Sequence, residues 1–253
     1  MQEDKNTVSA QNLDQNARAE DIAWRSEHAK LVGNDPLFTG AAFGIPLPMP
    51  SLRESSSVAD LGLWYAIGEA WVHVALSQVR NAEPRVLDIG CGCGKMARFF
   101  AINPRTSYLG IDVFKPSVEW SKQAFESFPN FRFKHFDVHS PLYNGNGVLD
   151  VNTARVPAKS QSADLIICAS LFTHLLESAF CHYLHEIKRC LSSNGVAIVS
   201  THNAPPNGLR FSGKETRIDI TDDYFDELVT RAGLRSFKLG TVFGQEVFNL
   251  RHL

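Results

Sequence analysis

From residue 61 onward the chain gains a regular pattern of apolar positions. Trp64, Ile67, Trp71 and Val74 recur at spacings of three and four, which predicts a helix over residues 61–79 with one buried face. Beyond residue 85, short β-branched or apolar runs alternate with helical patterns, as expected of βαβ units around a parallel sheet. The runs predict strands at residues 85–89, 107–111, 131–135, 164–168 and 196–201. Pro116 suits the first position of a helix after the second strand. Phe180, Leu184, Ile187 and Leu191 mark the buried face of a later helix, which Asn194 and Gly195 are expected to end. A last helix is expected to start at a Thr221 cap, with Asp222 and Asp223 at its positive dipole end, and to stop at Gly233. Residues 237–242 and 246–250 predict a hairpin turning near Gly244.

The N-terminal part has a different character. Residues 1–22 are almost entirely polar and are expected to form a disordered tail, because they bury too little apolar surface to repay ordering. Residues 31–52 mix apolar side chains with Pro36, Pro46, Pro48, Pro50, Gly40 and Gly44, a composition suited to an extended segment packed over a body. The expected organisation is a cap at residues 23–59 and one domain at residues 60–253, which a length of 253 residues accommodates. A net charge of -2 supplies no basic field for phosphates, so neither nucleic acid nor an anionic membrane is an expected partner. No run reaches the ~18 to 20 apolar residues of a membrane span, and the polar start has no signal-peptide core; the expected location is the cytoplasm. Cys91, Cys168 and Cys190 fall within or beside apolar segments, favouring buried thiols over a disulfide framework.

Candidate chemistry centres on residues 86–94, where a buried strand runs into a glycine loop and then a helix. Glycines remove Cβ atoms where a ligand touches backbone, and a helix start offers unpaired N–H groups. Gly92, Gly94 and Ala97 also satisfy the GxGxxG/A pattern of dinucleotide-binding proteins. Asp88 argues for a different ligand, because a carboxylate there would repel a pyrophosphate but could accept a hydrogen bond from an ammonium group. Asp112, 24 residues after Asp88 at the end of the second strand, can accept both hydroxyls of a ribose. Dehydrogenases use an acid similarly, so Asp112 points to an adenosine without naming its carrier.

The run VLDIGCGCG resembles the first motif of class I S-adenosylmethionine-dependent methyltransferases, and residues 85–202 follow that family's order of motifs. The resemblance implies an α/β, Rossmann-like fold: a seven-stranded, mostly parallel sheet with a C-terminal antiparallel hairpin, flanked by helices. It implies S-adenosylmethionine as cofactor, with Asp88, Gly90, Gly92 and Gly94 around the methionine part and Val113 and Phe114 against the adenine. Asp137 and Val138 would meet the adenine amino group and ring, and Cys91, Ala169, Ser170 and Leu171 complete the expected cofactor-binding set. SLFTHL is similar to the SVFTHL segment of bacterial methyltransferases linked to glycan or polysaccharide synthesis, and IPLPMPSLR and VFGQEVFNLRH look like that group too. The implied reaction is O-methylation of a saccharide or glycan-biosynthesis intermediate, with a glycan-assembly protein as partner. Methylation of another small molecule, or a non-catalytic S-adenosylmethionine-binding scaffold or regulator, are the alternative readings.

A sulfonium methyl group is already electrophilic, so neither a metal nor a protein nucleophile is required. A hydroxyl acceptor benefits from a base, for which His174 is best placed, the alternative being a histidine that caps the helix or packs on the cofactor. His135, His139 and His202 follow or end strands on the same side and are lesser candidates. Cys181, His182 and His185 have helical spacing, but the buried side defined by Phe180, Leu184 and Ile187 leaves His182 and His185 outward, so no metal site is expected. Cys91 and Cys93 are expected to serve packing, as are Trp64, Tyr65 and Trp71 on their helix. Acceptor choice is expected from residues 31–56, 141–161 and 202–217, the last two being mobile or ordered by ligand.

Overall fold

The structure, a computed structural model, describes residues 44–253 other than Ser57, without the side chains of Ser56 and Asn207. The expected tail at residues 1–22 and the cap up to residue 43 lie outside the described residues.

Strands buried on both faces read as continuous apolar runs, and the centre of the sheet is built from such strands. β1 (Arg85–Ile89) buries every residue after its first, and β4 (Ala163–Cys168) buries all but Asp164. With β2 (Ser107–Asp112), β3 (Phe131–His135) and β5 (Leu191–Thr201) they form the parallel part of the sheet. β8 (Leu234–Val242) and β9 (Gln245–His252) add the antiparallel edge, giving seven strands in the order β3-β2-β1-β4-β5-β9-β8. The expected fold class is therefore the observed one. Strand order reverses between β1 and β4, and in open α/β sheets a crevice forms there at the carboxyl ends.

Helices cover both faces. On one side α2 (Leu61–Ser77), the short α3 (Ala97–Phe100) and α4 (Lys115–Ala124) press Trp71, Val72, Phe100 and Val118 against Val86, Leu165 and Ile198. On the other, α5 (Glu177–Cys190) and α6 (Asp222–Arg231) press Phe180, Leu184, Phe225 and Leu228 against Leu87, Ile166 and Val199. As expected, Thr221 caps α6 by accepting from Tyr224 N, and Gly233 follows that helix with φ 75°. Residues 45–49 and α1 (Pro50–Ser56) pack over the first face, with Ile45, Leu47 and Leu52 buried. Two guanidiniums hold that segment: Arg98 donates to the Ile45 and Pro46 carbonyls (2.9 and 2.6 Å), and Arg53 to those of Pro48 and Ala59 (2.6 and 2.8 Å).

Three expectations need correcting. α5 ends at Cys190, and Leu191 opens β5 opposite Ala163 with extended dihedrals (φ -69°, ψ 130°). Gly195 lies inside that strand, where a Cβ would meet Leu191 Cδ1 at 2.8 Å and the Ala163 carbonyl at 2.9 Å, so it serves close approach rather than helix capping. Part of the region expected as a loop at residues 202–217 instead enters a two-stranded hairpin, β6 (Phe211–Lys214) with β7 (Arg217–Ile220). The insertion at residues 141–161 is tied back to the body, with the Asn144 amide donating to Asp137 Oδ1 (3.0 Å) and the Val138 carbonyl (3.1 Å).

Candidate active site

A cavity of about 590 Å³ occupies the crevice at the strand ends, within the size range of small-ligand sites. Its floor is the loop after β1. Gly90, Gly92 and Gly94 have φ values of 87°, 52° and 73°, the left-handed region where a side chain is strained. Gly94 also has no room for one, since a Cβ would sit 2.9 Å from the Phe125 ring. Gly90 N and Cys91 N both donate to the Ile111 carbonyl (2.8 and 3.1 Å), fastening the loop to the end of β2.

Asp112 completes that fastening. Its Oδ2 accepts from Gly92 N and its Oδ1 from Phe114 N, both at 2.7 Å. Burial raises its pKa above the ordinary carboxylate value, and the same two N–H donors oppose that rise. Each oxygen retains a lone pair, and the residue lines the cavity together with Gly90, Gly92, Val113, Phe114 and Val138. Ala169, Ser170 and Leu171 line it from the end of β4, and His174, His139 and His202 stand on its walls.

Four members of the expected cofactor-binding set lie elsewhere. Asp88 is fully buried and outside the lining: the Tyr108 hydroxyl donates to its Oδ2, while Oδ1 has no partner among the described residues. Desolvation pushes its pKa up to about 7. Its carboxyl thus faces Tyr108 rather than the cavity where a ligand ammonium was expected. Asp137 accepts from Asn144 rather than facing the cavity, Gly94 packs on Phe125, and Cys91 lines a smaller neighbouring cavity beside α2. His135 lies outside the lining as well, donating from Nε2 to the Val113 carbonyl at 3.0 Å.

His174 sits in a single 3-10 turn, Phe172–His174, beyond β4. Its Nδ1 lies 2.7 Å from the Glu215 carbonyl in the β6–β7 turn. A carbonyl only accepts, so Nδ1 carries a proton, and in the neutral tautomer this contact selects the lone pair falls on Nε2. The Tyr143 ring stands edge-on at 6.0 Å. Burial lowers the His202 pKa first, and the nearby Arg217 charge adds to it.

Glu54, Ser55, Tyr143, Glu215 and Gln245 also line the cavity and were not singled out as site residues from the sequence. Glu215 could not have been, because only the unforeseen hairpin carries it to His174. Tyr143 stood within the polar insertion expected to choose the acceptor. Gln245 had no signal beyond its place in the C-terminal run. Among the described residues no cluster of three or more His, Cys, Asp or Glu could hold a metal, and His182 donates to the Ala154 carbonyl (2.9 Å). Nor is any described helix long and apolar enough to cross a membrane.

The glycine floor, the paired acceptors of Asp112 and the enclosed volume fit an adenosine-bearing ligand. A family profile described as "Methyltransferase domain" matches residues 69–237. A SAM-dependent methyltransferase from Aquifex aeolicus is 16% identical with a TM-score of 0.56, over 81% of this chain and 97% of the other. SAM-bound CalS10, an amino pentose methyltransferase from Micromonospora echinaspora, is 15% identical with a TM-score of 0.53, over 75% and 92%. The [4+2]-cyclase SpnF is 16% identical with a TM-score of 0.50 over 67% of this chain, which spans 57% of the cyclase's length. Matched by the family profile over most of its length, the chain belongs to the methyltransferase domain family.

Proposed function

We propose that the protein methylates a hydroxyl oxygen of a saccharide or glycan-biosynthesis intermediate, with His174 as the base. The observation that carries this is the Nδ1–H···O=C bond from His174 to Glu215, which assigns the lone pair of the neutral imidazole to Nε2 in a ring that lines the cavity. Such a nitrogen can take the hydroxyl proton as the oxygen attacks. S-adenosylmethionine supplies the electrophilic methyl group when bound. Gly90 and Gly92 leave backbone exposed for its methionine part, Asp112 accepts from its ribose, and Val113, Phe114 and Val138 flank its adenine. Ala169, Ser170 and Leu171 line the same cavity just ahead of His174 in the chain. Polar groups of Ser55, Tyr143 and His202 suit a hydroxylated acceptor, and a sugar methyltransferase among the proteins of similar fold is consistent with one.

The test follows labelled methyl transfer from S-adenosylmethionine into a cell-extract glycan fraction. His174→Ala should lower kcat by roughly 100-fold or more and leave the affinity for S-adenosylhomocysteine unchanged. Undiminished turnover would remove the base, and label appearing only outside the glycan fraction would remove the acceptor class.

A further inference from the structure

Ser170, at the end of β4, has φ 58°, an uncommon left-handed conformation for a residue other than glycine. Such conformations persist where surrounding contacts over-determine them, and here the contacts close a ring. Ser170 N donates to Ser200 Oγ at 2.8 Å, Ser200 Oγ donates to Gln245 Oε1 at 2.7 Å, and Gln245 Nε2 donates to Ser170 Oγ at 2.8 Å. Each of the three side chains both gives and accepts within the ring, or is gripped through its own backbone N–H. Ser200 is buried on β5, and Gln245 opens β9 directly after the Phe243–Gly244 turn.

What Ser170 controls lies just downstream. Its carbonyl accepts from Thr173 Oγ1 (2.8 Å), and the Leu171 carbonyl accepts from His174 N (3.0 Å). The direction in which the chain leaves Ser170 therefore fixes the 3-10 turn that presents His174 to the Glu215 carbonyl. A different φ at Ser170 would swing that turn and part the 2.7 Å contact.

We infer that Gln245 is a positioning residue: through the ring with Ser170 and Ser200 it imposes the left-handed turn that holds His174 in its Nδ1–H form at the cavity wall. This rests on the reading of His174 as the base, and it assigns the C-terminal hairpin a part in the chemistry that its distance along the chain conceals.

Two kinds of cause can be separated by relieving the backbone instead of the side chain. Glycine adopts φ near 58° without strain, so Ser170→Gly should make the clamp dispensable. With the full chain, histidine-selective nitrogen NMR reads the His174 tautomer, calorimetry reads S-adenosylhomocysteine binding, and labelled transfer into the glycan fraction reads kcat and KM. Gln245→Ala should convert His174 from one tautomer to a mixture and lower kcat about 10-fold or more, with S-adenosylhomocysteine affinity held. Ser200→Ala, which opens the ring at its other side, should do the same. The double variant Gln245→Ala with Ser170→Gly should recover the single tautomer and most of the lost kcat.

A Gln245→Ala protein with an unchanged His174 tautomer would overturn the inference. So would a double variant that stays impaired and shows, like Gln245→Ala, a raised acceptor KM, since Gln245 would then be meeting the acceptor itself. Wild-type protein that transfers no methyl to the glycan fraction would instead defeat the proposed function. The His174 tautomer in Gln245→Ala still decides the clamp in that case, because it is read without turnover.

Discussion

Asp88 has one hydroxyl donor, no water-facing surface and one oxygen without a partner among the described residues, so its ionised form is poorly supported. Its pKa rises from an ordinary 3.8 to about 7, mainly through desolvation and despite the Tyr108 hydroxyl. A carboxyl whose value is higher when folded binds its proton more tightly in the native state. The stability this gives is fully present below 3.8 and is lost as pH rises through about 7. Asp88→Asn removes the titration while keeping the shape. Urea unfolding of wild type and Asp88→Asn across that range should therefore diverge, the wild type losing on the order of 4 kcal/mol relative to the variant by about pH 8. Parallel pH profiles for the two proteins would mean that Asp88 remains ionised. Asp88 and Asp112 look alike in sequence, each a carboxylate at the end of a strand. They differ because Asp112 is the last residue of β2 and turns into the crevice, whereas Asp88 is the fourth of five in β1 and its side chain lies among those of Tyr108 and the buried face.

The β6–β7 hairpin is where an element rather than a residue decides function, because its turn supplies the carbonyl that fixes the His174 tautomer. Gly213 makes the hairpin possible: its φ is 123°, and a Cβ would stand 2.0 Å from the Arg217 carbonyl. Gly213→Ala should break the Ser212–Gly213 pairing with Ile218 and Asp219 and displace Glu215. The expected outcome is a loss of about 10-fold or more in kcat, at a stability cost of roughly 1–3 kcal/mol, measured by labelled transfer and thermal melting together. Equal activity would show that the Glu215 contact is incidental. The sequence could not have announced this hairpin, since four-residue strands around Lys214, Glu215 and Arg217 carry no alternation long enough to read. Nor could it mark the end of α5, because Leu191 is buried whether it closes a helix or opens a strand. The central strands were legible for the opposite reason, as burial on both faces leaves continuous apolar runs at residues 165–168 of β4 and 196–199 of β5.

Across the whole molecule the cavity gathers residues from α1, the loop after β1, the ends of β2, β4 and β5, the insertion after β3, the β6–β7 turn and β9. A ligand bound there touches segments that must all be in place at once, so it binds the folded chain and not the unfolded one. Stabilisation then follows mass action, about 2.7 kcal/mol at a concentration roughly 100 times Kd, which for a chain of this size is roughly 5 to 10 °C in Tm. S-adenosylhomocysteine should produce that shift, and NAD at the same concentration should not. The discrimination comes from charge: Glu54, Asp112 and Glu215 line the cavity, and among its described lining residues there is no Lys or Arg to meet a pyrophosphate. Asp112→Ala should abolish most of the S-adenosylhomocysteine shift, because it removes the ribose acceptors and frees Gly92 N and Phe114 N together. A matching shift with NAD in the wild type would show that adenosine recognition alone accounts for binding, and that the methionine end contributes nothing to selectivity.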